Sequence, residues 1–281
     1  MNNIGLRGST KKQLETFTSR PTHAVVLVGQ KGLGKKSMAK GLAEAILQVD
    51  NLDSYPYKSI LGIDDKNKSI GVDSIRALDK FLKLKVAGSK QFDRVIIIED
   101  AEKMTIEAQN SLLKTLEEPP TGVLIVLTST HLQALLPTVV SRLSVINVSK
   151  PSKNDLNSSK LAEHDKFNQA YSISGGLPGV IDEILKDPDH PLLKATERAR
   201  QILSQGVYER LISVDELSKD KQLCLNIVYI LQQMAHLALQ SANQVSSKRW
   251  QIILKSSYKS QQALEGSAQI KLVMTDLMMS L

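Results

Sequence analysis

Four short runs in the first half of the chain are almost wholly apolar: residues 23–29, 94–98, 123–128 and 143–148. Runs of this length predict strands buried on both faces of a parallel sheet. The second run leads into two carboxylates, Glu99 and Asp100, so the strand is predicted over 94–100. A fifth, weaker candidate covers 59–63. Between the runs the period changes to that of a helix. Met38, Leu42, Ala45 and Ile46 mark one over 37–47, and Val72, Ile75, Leu78 and Leu82 mark another over 72–82. A third, over 104–118, is stopped by Pro119-Pro120, which lack amide donors and disfavour helix in the residue before them. Strands alternating with helices predict a doubly wound α/β domain over 1–150.

Beyond 149–154 the strand signal disappears. Helical patterns continue to the C-terminus, broken by Gly- and Pro-containing stretches at 174–179 and 187–191. These breaks predict a small helical domain over 151–187 and an all-helical domain over 188–281. Residues 220–240 are apolar nearly all round, as in a central bundle helix.

Composition narrows the class. The 281 residues are 42% hydrophobic and 23% charged, with 4% aromatics, so aliphatic side chains must build the core. The single cysteine, Cys224, rules out an internal disulfide and a Cys-rich zinc site within the sequence given. No signal-like start and no run of ~18 apolar residues is apparent, so a cytoplasmic protein without a membrane segment is expected. The net charge of +7 lies almost entirely in residues 1–150, compatible with polyphosphate or nucleic acid and equally with a plain Lys-rich surface.

Gly29-Gln-Lys-Gly32-Leu-Gly34-Lys35 follows a predicted strand and precedes a predicted helix, the setting a phosphate-binding loop requires. Its glycines let backbone amides face phosphate oxygens, and Lys35 can reach the terminal phosphates. The next position should carry a Ser or Thr hydroxyl for Mg²⁺. It carries Lys36, whose ammonium has no lone pair. Ser37 lies one residue late, about 100° further round the helix, and substitutes only if the loop is shifted. The carboxylates are also unusual: motor ATPases of this layout end the strand in Asp-Glu, whereas this chain has Glu99-Asp100. The competing assignment makes Asp100 a helix cap. A loop that still holds ATP, ADP or phosphate weakly but cleaves it poorly is expected, with no metal.

Residues 94–104, Ala108-Gln-Asn-Ser-Leu-Leu-Lys-Thr-Leu-Glu-Glu-Pro-Pro120 and Leu135-Leu-Pro-Thr-Val-Val-Ser-Arg142 resemble bacterial clamp-loader subunits of the AAA+ class. The resemblance covers about residues 1–185 and is most specific over 94–142. It implies an AAA+ domain, a helical lid and a C-terminal helical collar. Arg142 matches the family's arginine finger, which reaches the γ-phosphate held by a neighbouring subunit; Leu143 replaces the cysteine that usually follows. Thr128, Ser129 or Thr130 falls at the first nucleotide sensor. Pro178 stands where the second sensor's arginine is expected, and the family's four-cysteine zinc module is missing between loop and acidic strand, so no zinc is expected. The implied partners are tau/gamma and delta subunits, a sliding clamp and primer-template DNA. Three readings follow: a non-motor subunit lending Arg142 in trans, a motor ATPase of the tau/gamma kind, and a small-molecule P-loop kinase. The kinase leaves residues 94–142 unexplained. For Arg142 the competing assignment is a plain ion pair at a strand edge.

Overall fold

The predicted alternation is realised as a five-stranded sheet, all parallel, in the order β2-β3-β4-β1-β5. In this computed structural model, residues 5–63, 68–82, 91–241 and 244–281 are described. The chain enters through α1 (Gly8–Ser19), β1 (Ala24–Val28) and α2 (Lys35–Leu47), then β2 (Lys58–Leu61) and α3 (Val72–Leu82). It continues through β3 (Phe92–Ile98), α4 (Ile106–Glu117), β4 (Gly122–Ser129), α5 (Pro137–Val140) and β5 (Ser144–Asn147).

Successive side chains on a strand face opposite sides, and both sides are covered here. Val25, Leu27, Val95, Ile97, Leu124 and Val126 pack with Leu14 and Phe17 of α1 and with Met38 and Leu42 of α2. The alternate residues Val26, Ile96, Ile98, Ile125 and Leu127 pack with Ile75 of α3, Leu112 and Leu116 of α4 and Val139 of α5. This two-sided burial is why the strands read as unbroken apolar runs.

Several boundaries differ from the sequence expectation. Strand β3 stops at Ile98, leaving Glu99 and Asp100 in the turn after it, with Asp100 at φ 51 in the left-handed region. Helix α2 starts at Lys35, which puts both lysines in its first turn. The start of α4 falls at Ile106 because the Thr105 hydroxyl caps it, accepting from Ala108 N–H at 3.2 Å. The sequence reading passed over α1: its only buried side chains are Thr10, Leu14 and Phe17, too few to give a strong period.

The second half is helical: α6 (Lys153–Asn157), α7 (Phe167–Ser174), α8 (Pro178–Lys186), α9 (Pro191–Ser204), α10 (Val207–Leu217), α11 (Lys221–Ser241), α12 (Gln244–Glu265) and α13 (Ile270–Ser280). Contacts gather the chain into two compact units, residues 1–161 with 177–179, and residues 162–176 with 180–281. The stretch 151–187 is thus shared between them. In the second unit α11 packs against α7, α9, α10 and α12. Against the expectation of no such segment, Lys221–Gln240 is long and apolar enough to cross a membrane by length and composition. Its Cys224, Ile227, Val228, Leu231 and Ala235 are fully buried against its own unit, as in the central helix of a bundle.

Candidate functional site

Parallel strands deliver the C-terminal ends of β1, β3 and β4 to one edge, the usual place for ligand chemistry in an open α/β sheet. The loop Gly29–Gly34 leaves β1 there, anchored by Gly29 N–H on the Ser129 carbonyl at 3.1 Å. Gly32 (φ 86) and Gly34 (φ 79) occupy conformations that side chains disfavour, and a Cβ on Gly29 would collide with the Val148 carbonyl.

Lys35 is buried, and its ammonium donates to the carbonyls of Gly29 at 2.6 Å and Gln30 at 2.9 Å. Burial holds its pKa below the ordinary lysine value, against the opposing pull of Glu102 and Asp100. Lys36 Nζ lies 3.0 Å from Glu99 Oε2 and 3.0 Å from Asp100 Oδ2. Burial lowers its pKa, but the hydrogen bonds it donates to Asp100 and Glu99, with the charges of those carboxylates, outweigh burial and raise it overall. Ser37 is exposed, and among the described residues no hydrogen bond joins it to either carboxylate.

Asp100 stands where a cap for the turn Ala101–Lys103 would, but its side chain makes no capping bond. Its backbone N–H donates to Thr128 Oγ1 at 3.0 Å, and its carboxylate goes to Lys36. Of the three candidate sensor residues, Thr128 is therefore the one tied to the acidic turn. Thr130 donates instead to Glu102 Oε1 at 3.0 Å, and Ser129 to the His131 carbonyl.

These groups do not fit a magnesium ion. The position that should offer a hydroxyl offers an ammonium, and that ammonium already bridges both carboxylates.

Arg142 lies just past Ser141, the residue that caps the end of α5. It donates to the Thr138 carbonyl at 2.8 Å and pairs with Glu117 of α4 at 2.7 Å. An ion pair of the kind the competing assignment expects therefore exists, but to helix α4 rather than at a strand edge, and Arg142 keeps 35% and Glu117 50% side-chain exposure. The described partners of Arg142 are Glu117 of α4, Thr138 of α5 and the neighbouring Ser141, none of them on the phosphate loop.

Three residues of this region escaped the sequence reading. Glu102 leaves Oε2 buried without a hydrogen bond. Gln109, 3% exposed, accepts from Leu136 N–H at 2.7 Å and donates to the Ala134 carbonyl at 3.2 Å, tying α4 to the segment that leads to Arg142. Gly179 donates its N–H to the Gly32 carbonyl at 2.8 Å, laying the start of α8 on the phosphate loop. Gly179 stands in the spacing of Gly175-Gly-Leu-Pro-Gly179, and Glu102 and Gln109 lie inside the stretches 94–104 and 108–120 without a pattern that singles them out.

The described fold and site can be set beside known proteins. A family model described as DNA polymerase III, delta subunit matches residues 9–152. The DNA polymerase III subunit delta' of Haemophilus influenzae is 29% identical over 185 residues, covering 59% of this chain and 55% of that protein. Subunit delta' of Pseudomonas aeruginosa is 32% identical over 138 residues, covering 43% of this chain and 41% of the relative. Subunit tau of Bacillus subtilis is 33% identical over 135 residues, covering 43% and 23%. The chain spans about half or less of the length of these relatives. Among solved structures, a gamma subunit-related protein of Thermotoga maritima is similar in fold, with a TM-score of 0.52 at 20% identity, covering 95% of this chain and 97% of that one. With the family model matched over just over half its residues, the chain belongs to the DNA polymerase III delta-subunit family, among the clamp-loader AAA+ proteins related to the delta', tau and gamma subunits.

Proposed function

We propose that the chain acts as a delta-prime-like, non-motor subunit of the clamp loader, helping to load the sliding clamp onto primed DNA and lending Arg142 in trans to a neighbouring ATPase subunit. The observation that carries this reading is the contrast between the two cationic sites of the domain. Lys36 fills the chain's own metal position. Arg142 stays partly exposed, held by a surface ion pair of the kind worth ~0–1 kcal/mol. A triphosphate can displace a carboxylate from such a pair, because its oxygens carry more charge and match the rigid guanidinium fork. On this reading the chain needs no nucleotide, metal or zinc of its own, and the glycine loop retains at most weak affinity for ATP, ADP or phosphate.

Its partners are tau/gamma and delta subunits, the sliding clamp and primer-template DNA, the last met through phosphates rather than base edges. No membrane is involved, and the site of action is the cytoplasm. Exposed apolar residues Tyr208 and Ile212 of α10 and Leu272 and Met279 of α13 suit a helical collar.

The test is ATP turnover by a complex reconstituted with tau/gamma and delta subunits, with and without primed DNA. The isolated chain turns over negligibly. Arg142→Ala keeps the native melting temperature and slows the complex roughly severalfold, since removal of an arginine finger disables a served site. Unchanged turnover would sink the trans role. Brisk Mg²⁺-dependent hydrolysis by the isolated chain, abolished by Lys35→Ala, would select the motor reading instead.

A further inference from the structure

Around the turn after β3, four groups form a closed set: Glu99, Asp100, the Lys36 ammonium and the Thr128 hydroxyl. The turn itself fixes the carboxylates. Asp100 is held at φ 51, where its N–H meets Thr128 Oγ1 at 3.0 Å, and its side chain points to α2 rather than to the turn it precedes. Glu99 lies close beside Gly62, where an added Cβ would stand 3.4 Å from Oε2. The Lys36 Nζ sits 3.0 Å from an oxygen of each. Two anionic groups oriented on one small cation are what a metal site between loop and acidic strand requires, and here the cation is covalently part of α2.

We propose that the Lys36 ammonium is a tethered replacement for the divalent cation at this position: the native chain has no divalent site because its own side chain fills it, and removing that ammonium creates one. The inference rests on reading the loop as a lapsed nucleotide site. It concerns charge balance, not turnover. Without the ammonium two carboxylates remain at close quarters, and like charges so placed recruit a cation or take up a proton. Lysine cannot be both the filler and a ligand, because it has donors only.

The test is Mn²⁺ titration of the full chain without nucleotide, followed by water-proton relaxation and by thermal melting. Lys36→Met, Lys36→Thr and Lys36→Arg are compared with the native chain. The native chain and Lys36→Arg should show no saturable binding into the millimolar range. Lys36→Met and Lys36→Thr should bind at least about tenfold more tightly and melt at a higher temperature when Mn²⁺ is added. Native binding as tight as that of Lys36→Met overturns the proposal. So do folded Met and Thr variants that remain blind to Mn²⁺, and so do Met and Thr variants that stay unfolded at every Mn²⁺ concentration. No ATP and no partner subunit enters the measurement, so its failure leaves the role of Arg142 untouched, and an inert Arg142 leaves this result standing.

Discussion

A side chain that follows a glycine loop has its direction set by the first turn of the helix it opens. That is why Lys36 could be read from spacing alone as a cation at the metal position, whereas its bond to both carboxylates could not: Glu99 and Asp100 lie more than sixty positions away and face it only after the sheet forms. Gln109 is the opposite case. It lies inside a stretch that carries the resemblance, yet nothing local shows its task, which is to satisfy the Leu136 amide and the Ala134 carbonyl from a buried position. A buried polar group that loses its partner costs about 1–3 kcal/mol. Gln109→Ala should therefore lower unfolding stability by that amount in urea and speed amide exchange over residues 132–136, ahead of Arg142. Native exchange in that segment would show that Gln109 does not hold it.

At the scale of elements, the strands were the most legible part because burial on two faces leaves no polar alternation to misread. Their ends were less so. The apolar run predicts that β3 extends through Glu99 and Asp100, whereas the left-handed Asp100 ends the strand before them. The lone α1 was missed because three buried side chains suffice when the sheet supplies the rest of the core. The start of α8 depends on a residue without a side chain: a Cβ on Gly179 would stand 2.7 Å from Gly34 N and 2.8 Å from the Gly32 carbonyl. Both are backbone atoms with little room to move. Gly179→Val should cost about 1–3 kcal/mol, the range for overpacking, and should lower the melting temperature. Gly8→Ala, with nothing within 4 Å of its added Cβ in the first turn of α1, is the control and should melt at or slightly above the native temperature. Equal melting of both variants would count against the close approach.

For the molecule as a whole, the second unit is organised around α11. Cys224 reports on that packing, with its Sγ buried 3.1 Å from the Leu217 carbonyl. Burial, aided by the charge of Asp220, pushes the thiol pKa from 9.0 up to about 11. The unfolded chain ionises this thiol as pH passes 9, while the folded chain keeps the proton to about 11, so the thiol's contribution to stability declines across that interval. At pH 8 the native thiol should be inert to a disulfide reagent and become fully reactive in denaturant. Rapid labelling of the native chain would show that the second unit is not sealed at α11. Packing of α11 on α7, α9, α10 and α12 shows why composition taken alone suggests a membrane span: a core helix and a spanning helix are both apolar, and packed neighbours tell them apart.

Local rules in the sequence settled the sheet strands and the helices between them, though not α1, and where the glycine loop sits and that its next residue is an ammonium rather than a hydroxyl. Each of these depends on neighbours within a few positions, through backbone conformation and alternating burial. Tertiary structure alone decided what the charged groups do. It set Lys36 between Glu99 and Asp100, turned Asp100 away from its cap, paired Arg142 with Glu117 and brought Gly179 onto Gly32. Electrostatic and hydrogen-bonded partners are fixed by distance in space, and chain separation carries almost none of that information.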